Sequence, residues 1–148
     1  MEFNKLIADF ATRHQVENLI VVDGAAALDI DGIIVTIVAK GEVLNLSAEI
    51  GDPPVEGAGV FANLLLEANI QPGAFFAKAP EPGPYVIVQR LSLPLIDDDA
   101  FDAALETFVN QAETWRRLLA DFRPVAKAAA ERTQAESPSF GSSSFMQV

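Results

Sequence analysis

The chain has 148 residues, half of them apolar, which is the length of one ordinary domain and enough to bury a core. Its net charge of −11 gives a surface that repels nucleic-acid phosphates and anionic lipids, so we expect neither nucleic acid nor membrane as a partner. It contains no cysteine, which excludes disulfides, thiolate nucleophiles and cysteine-bound metals.

The N-terminal stretch MEFNKLIADF predicts a short amphipathic helix. Apolar residues recur at steps of three and four, and His14 ends the pattern. The stretch carries an early acidic residue and lacks the cleavage-like region of a signal peptide. No apolar run in the chain approaches the about 20 residues that cross a bilayer. We therefore expect a cytoplasmic protein.

Residues 23–51 predict a meander of three antiparallel strands. In the first strand Leu28 and Ile30 alternate with aspartates, as expected of a strand with one buried face. Asp31-Gly32 then predicts a two-residue hairpin, because both positions of that turn need a positive φ.

The second strand of the meander, 33–38, has apolar residues on both faces, which predicts a central strand covered on both faces. Gly41 turns the chain again, and in 44–50 apolar and polar residues alternate, giving one buried face and one wetter face. Asp52-Pro53-Pro54 ends the sheet, since proline cannot donate to a strand ladder.

Residues 59–69 predict a second helix with an unusually wide apolar surface. Its polar positions, Asn63 and Glu67, form one narrow stripe, whereas a surface helix normally needs an apolar stripe of only about 100°. The helix is therefore either central within the monomer or packed on another subunit. Because the domain has few other helices, we favour the second subunit.

Two more strands and a long helix follow. Strands are predicted at 74–78 and 85–93, with Pro94 ending the second of them. From Phe101 to Phe122 the apolar residues keep helical spacing for about six turns, the strongest helical pattern in the chain.

Three aspartates, Asp97 to Asp99, precede this helix and raise the question of a metal or catalytic site. Carboxylates in the first helical turn accept unpaired backbone N–H groups and favour the positive end of the dipole. A hard-cation site needs six or more oxygen ligands, and no calcium-loop spacing is present. We interpret the aspartates as a helix cap and predict no metal site.

The composition changes after the long helix, so we divide the chain into an α+β domain, 1–122, and a C-terminal extension, 123–148. The extension predicts one more helical stretch and then a flexible serine-rich tail. Phe140, Phe145 and Met146 in the tail are apolar enough to dock on a groove, but a tail without a specific contact is the other interpretation.

The chain offers little for catalysis. His14 is the only histidine, and its place at a helix end favours a capping role. Asp29 and Asp31 lie two apart on one strand face, yet Asp31 is already explained by its turn. No phosphate-binding loop or dinucleotide fingerprint is present. We predict no catalytic residues and no cofactor.

The order of predicted elements resembles the class I type III secretion chaperones of the Tir-chaperone (CesT-like) family. Three stretches carry the resemblance: LNLSAEIGDPP at 44–54, LLLEAN at 64–69, and VIVQRLSLPLIDDDAFDAALETFVNQAETWRRLL at 86–119. These are signatures of shape rather than catalysis, and the resemblance as a whole covers roughly residues 3 to 122. The tail is longer than the family usually carries.

The resemblance implies a bacterial cytoplasmic homodimer without enzymatic activity. Such chaperones hold the N-terminal region of a secreted effector in an extended form, ready for the export apparatus, through apolar contacts and strand addition at a sheet edge. The second helix makes the dimer contact in the family. The residues that match are Phe61, Leu64, Leu65 and Ala68.

The family's effector-binding patches use the first helix and the adjacent sheet. The residues carried over on that basis are Leu6, Phe10, Leu28 and Ile30, each of which is otherwise an ordinary core residue.

Two other functions stay open at this point. One is an α+β interaction or regulatory domain that shares this shape but works outside secretion. The other is a small enzyme using Asp29, Asp31 and His14, which predicts one concave pocket that contains all three side chains.

Overall fold

The computed structural model describes residues 2–123 and confirms an α+β fold of three helices and one antiparallel sheet. The helices are α1 (Phe3–His14), α2 (Ala58–Ala68) and α3 (Asp98–Ala120). The strands are β1 (Leu19–Val22), β2 (Ala25–Ile30), β3 (Ile33–Lys40), β4 (Val43–Gly51), β5 (Phe75–Lys78) and β6 (Tyr85–Ser92). They are ordered β1-β2-β3-β4-β6-β5 across the sheet. Apart from Arg123, the predicted C-terminal extension lies outside the described residues.

The predicted meander is confirmed as β2, β3 and β4. Asp31 and Gly32 have φ values of 54° and 85°, so both turn residues take the left-handed conformation that the sequence indicated. Asp29 stabilises this turn, because its Oδ1 accepts a hydrogen bond from the Gly32 N–H at 3.0 Å.

The sequence prediction missed strand β1. It pairs with β2 from Leu19↔Leu28 to Val22↔Ala25, with Asp23-Gly24 as the connecting turn. Among the described residues the sheet therefore has six strands, and β1 rather than β2 forms its edge.

The prediction that β3 is covered on both faces was wrong. Ile33, Val35 and Ile37 are buried, whereas Ile34 and Val38, on the opposite face of the strand, are 61% and 37% exposed. The apolar run is thus divided by the strand's two-residue period between a helix-covered face, here called the inner face, and an outer face without such cover.

Aromatic contacts join the helices on the inner face. Phe10 of α1 meets Phe101 of α3 edge-on, with ring centroids 5.5 Å apart. Phe61 of α2 meets Trp115 of α3 in the same way at 6.1 Å and stacks on Tyr85 of β6 at 5.7 Å. Aromatic pairs of this kind contribute about 0.5–1.5 kcal/mol beyond their buried area, so they fix how the helices sit on the sheet.

The three aspartates before α3 begin the helix, as the sequence indicated. Asp97 is its N-cap, with extended backbone and an Oδ1 that accepts the Ala100 N–H at 2.7 Å. Asp98 and Asp99 occupy the first turn, at the positive end of the helix dipole.

None of the three helices combines the length and apolarity that a membrane span requires.

The end of β4 approaches α3 closely at Gly51. The strand has a bulge between Glu49 and Gly51, and Gly51 adopts a φ of 144°. A Cβ at this position would lie 2.9 Å from Cδ2 of Leu119. Glycine is therefore required both by the backbone conformation and by the packing of α3.

We predict that Gly51→Ala lowers the free energy of unfolding by roughly 1–3 kcal/mol, because Leu119 has to move and the backbone is strained. The matched control is Gly59→Ala in α2, where a Cβ meets nothing within 4 Å. Alanine favours a helix, so this variant should be more stable by up to about 1 kcal/mol. Urea denaturation of both variants measures the difference. A Gly51→Ala protein as stable as wild type would contradict the close packing.

Candidate functional site

The β1 edge of the sheet is open to an extended chain. The Asn18 carbonyl accepts the Asp29 N–H at 3.2 Å, and hydrogen-bonded pairs alternate along antiparallel strands. Leu19 and Val21 therefore direct their N–H and C=O groups away from β2. In the described part of the chain these groups have no backbone partner, and unpaired groups at a sheet edge are a template for another strand.

The opposite edge, β5, is closed at its centre by a side chain. The Asn69 Oδ1 accepts the Phe76 N–H at 2.7 Å, and its Nδ2 donates to the Phe76 carbonyl at 3.1 Å. Asn69 therefore pairs with Phe76 as a neighbouring strand would. This contact gives Asn69, the residue that follows α2, a structural role, and it leaves the two sheet edges unequal.

Apolar side chains are exposed on the outer face next to the open edge. Ile20 and Val22 of β1 are 68% and 60% exposed, and Ile34 and Val38 continue this surface onto β3. Exposed apolar residues that occur singly need no explanation, but a contiguous apolar patch marks an interaction surface.

The residues expected to form a dimer contact on α2 divide into two groups. Phe61 and Leu65 are 1% and 5% exposed and belong to the core of the chain itself. Ala68 is half-buried against that core. Leu64 is 43% exposed and is the member of the set that is accessible to a second subunit.

The residues expected to line an effector patch also lie mainly in the core. Leu6 and Leu28 are fully buried, Phe10 is 5% exposed, and Ile30 is half-buried. Leu6 and Phe10 belong to α1, whereas Leu28 and Ile30 belong to β2. Only Phe10 and Ile30 reach the surface, where both line a groove.

This groove, here called the acidic groove, has a volume of about 910 Å³ and lies between the end of α1, the β2–β3 turn and α3. Its apolar residues are Phe10, Val16, Ile30, Leu105 and Val109. Its carboxylates are Glu17, Asp29, Asp31, Asp102 and Glu106. It is open to solvent and adjoins Asn18, the residue before β1.

One carboxylate of the groove is neutralised within the chain. Asp102 accepts hydrogen bonds from Nε (3.1 Å) and Nη2 of Arg13, and lies 2.9 Å from Nε2 of His14. Arg13 also lies 3.4 Å from Asp98. The Arg13 hydrogen bond, and less strongly that of His14, holds the pKa of Asp102 below its ordinary value against the opposing effect of burial. The cluster joins α1 to α3.

The enzyme hypothesis predicted one concave pocket with His14, Asp29 and Asp31, and the acidic groove does contain all three. Each of them already has a structural contact or position, however. His14 lies against Asp102, Asp29 accepts the Gly32 N–H, and Asp31 forms the left-handed turn. The His14–Asp102 contact joins α1 to α3, and the Asp29 hydrogen bond closes the β2–β3 turn.

Within residues 2–123, no three histidine or carboxylate side chains are arranged to hold a metal ion.

Sequence reasoning missed the open β1 edge and the role of Asn69. A signal for β1 was present: Leu19–Val22 is a four-residue apolar run directly before the turn pair Asp23-Gly24. No sequence signal predicts the contact between Asn69 and Phe76, because it depends on the position of α2 beside β5.

Comparison with known proteins identifies the fold. A family model described as the Tir chaperone protein (CesT) family matches residues 5–116. The crystal structure of the ExsC–ExsE complex is similar, with a TM-score of 0.68 and 26% sequence identity over 78% of this chain and 92% of that chain. The chain matches none of the curated protein sequences.

Two more distant structures share the fold. The HopA1–SchA chaperone–effector complex has a TM-score of 0.63 and 16% identity, over 77% of this chain and 92% of that one. The Yersinia pestis type III secretion chaperone SycH, in complex with a stable fragment of YscM2, has a TM-score of 0.59 and 18% identity, over 75% and 97%.

The same fold also occurs in YbjN from E. coli, a candidate transcription regulator. Its TM-score is 0.55 at 17% identity, over 88% of this chain and 94% of that chain.

We predict that Asp102→Asn weakens the attachment of α1 to α3 and lowers the free energy of unfolding at neutral pH by up to about 1 kcal/mol. Because the folded pKa of Asp102 is depressed, its contribution is present above the unfolded pKa of about 4 and is lost as the pH falls through the lower folded value. Denaturation of both proteins between neutral and acidic pH should therefore show the difference shrinking below about pH 4. A difference that persists at the lowest pH would contradict the ion pair as its source.

Proposed function

Because this chain belongs to the Tir chaperone protein (CesT) family, we propose that it binds the N-terminal region of a type III secreted effector in an extended form and keeps it competent for export. The similar ExsC structure, solved with its partner ExsE, supports a protein ligand for this chain. The proposal includes a cytoplasmic location, delivery to the export apparatus and no catalytic activity.

The open β1 edge is the observation that carries this proposal. An effector segment that pairs with β1 uses the outward N–H and C=O groups of Leu19 and Val21. Those hydrogen bonds keep the bound segment extended, because the same backbone groups cannot at that moment form the effector's own sheet or helix.

The side chains of the added strand would then alternate between the two faces of the sheet. One set extends the outer face beside Ile20 and Val22, where exposed apolar surface is available. The other set lies on the inner-face side beside Val21, which is 43% exposed. Binding of this kind depends on backbone pairing and apolar burial, so it is compatible with more than one effector sequence.

The four residues carried over from the family take different parts in this proposal. Leu6 of α1 and Leu28 of β2 act through the core, since both are fully buried and neither is accessible to a partner. Phe10 and Ile30 contact the effector directly where they line the acidic groove.

We also propose that the protein is a homodimer joined through α2. Leu64 is the exposed contact, and Phe61, Leu65 and Ala68 set the position of the helix through the core of each subunit. Leu66, 63% exposed, adds a second apolar position on the same helix. Burying such leucines between two copies would contribute about 1.5–3 kcal/mol each.

A regulatory or interaction domain outside secretion is the second candidate, and the shared fold of YbjN is the observation that favours it. The two functions differ in their effect on secretion. A chaperone changes the amount of a particular secreted protein, whereas a regulatory domain leaves secretion of individual proteins unaltered.

We predict that deleting the gene removes one protein or a few from the type III secreted fraction, measured by quantitative mass spectrometry. Wild-type protein restores them, whereas Val21→Pro restores roughly tenfold less, because proline removes an outward N–H and blocks strand addition. Val21→Thr keeps the donor and the β-branched shape, so it serves as the matched control. A secreted fraction that is unchanged by the deletion would favour the regulatory function.

For the dimer, we predict that light scattering on the purified protein gives twice the 15.9 kDa of one chain. Leu64→Asp places a charge in the proposed contact and shifts the mass toward the monomer. Leu95→Asp, at a residue 85% exposed in the loop before α3, is the control and stays dimeric. Leu65→Asp is unsuitable because Leu65 lies in the core. A Leu64→Asp protein with unchanged mass would exclude this contact.

A further inference from the structure

We propose that the acidic groove binds a basic side chain, arginine or lysine, of the segment that pairs with β1. This inference rests on the proposed chaperone function and adds a sequence preference to it. The occupant is therefore an extended peptide in which a cationic residue follows or precedes the strand-pairing stretch.

Uncompensated charge is the first observation in its favour. Glu17, Asp29, Asp31 and Glu106 line the groove, and no ion pair in the described part of the chain involves any of the four. The fifth carboxylate, Asp102, is already matched by Arg13. Four like charges around one concavity produce a focused negative potential that a cation relieves.

The shape and polarity of the groove are the second observation. Apolar side chains, among them Phe10, Ile30 and Val109, lie between the carboxylates. Arginine and lysine match such a surface, because their aliphatic stems pack on apolar groups while their charged ends reach carboxylates. A purely apolar anchor would bury those carboxylates without a partner, and an acidic anchor would be repelled.

The position of the groove is the third observation. Glu17 and Asn18 line it and immediately precede β1, so a strand paired with Leu19 and Val21 reaches the groove at one of its ends. The backbone pairing and the basic side chain therefore belong to one continuous binding path. Pairing holds the segment, and the groove selects which segment is held.

A peptide selection on the full-length protein tests this preference. A library of random peptides of about 12 residues, long enough for one strand and the groove, is displayed and selected on wild type. The test variant is Asp31→Asn with Glu106→Gln. Asparagine tolerates the left-handed backbone of residue 31, so the turn is retained, and both positions are exposed.

The control variant removes the same two charges elsewhere, at Glu42→Gln and Asp52→Asn, both exposed in loops. This comparison is needed because a protein of net charge −11 attracts cations everywhere on its surface. Urea denaturation verifies that all variants are folded.

We expect wild type and the control to enrich peptides with arginine or lysine next to an apolar stretch, and the test variant to lose this enrichment. For a selected peptide, replacing its arginine by citrulline, which has the same shape without the charge, should weaken binding to wild type about fivefold. The same replacement should change binding to the test variant by less than about twofold.

Three results would overturn the inference, and they differ in what they imply for the chaperone function. Apolar peptides without a basic residue, selected on wild type and lost in Val21→Pro, would leave the chaperone proposal intact. Equal enrichment of basic peptides on all three proteins would assign the preference to net charge instead of the groove. Enrichment of no peptide on any protein would count against both proposals.

Discussion

The three helices pack on one face of the sheet through a continuous apolar layer, and the remaining features of the molecule depend on this one-sided packing. Phe101 and Phe61 anchor the two ends of the layer, each fully or almost fully buried. A sheet with one covered face keeps its other face and its edges for contacts with other chains. In a protein proposed to hold an unfolded client, the uncovered face and the edges of the sheet are available to bind that client. The apolar layer between the helices and the sheet stabilises the fold.

The two sheet edges differ in how their backbone groups are satisfied, which places the proposed binding surface at the β1 edge. Asn69 satisfies the backbone of Phe76 at one edge, while at the other edge the outward groups of Leu19 and Val21 have no backbone partner among residues 2–123. An open edge strand is normally a liability for aggregation. The open edge of β1, which also carries the exposed side chain of Ile20, is consistent with a protein in which another chain covers this edge for part of the time.

The carboxylates of the acidic groove also differ from one another, since one of them is neutralised within the chain. Arg13 neutralises Asp102 where α1 meets α3, so the acidic residue there strengthens the fold. Within residues 2–123 the other carboxylates of the acidic groove, such as Glu106 and Asp31, form no ion pair, so their field is available to a ligand. The strong net negative charge of the chain is thus partly concentrated at one end of the open strand.

The sequence by itself determined the class of fold, the meander, the capped start of α3 and the resemblance to secretion chaperones. These features depend on residues that are close together in the sequence. Examples are the helical and strand periods, the left-handed turn at Asp31 and the N-cap at Asp97. Only the tertiary structure decided which apolar residues are core and which are surface. Leu64 and Leu65 look alike in the sequence, yet one is exposed and the other is buried, because that depends on where α2 lies against the sheet. The same holds for Ile34 in β3. One-sided packing is a property of the whole tertiary structure, and a short apolar run in the sequence does not reveal it.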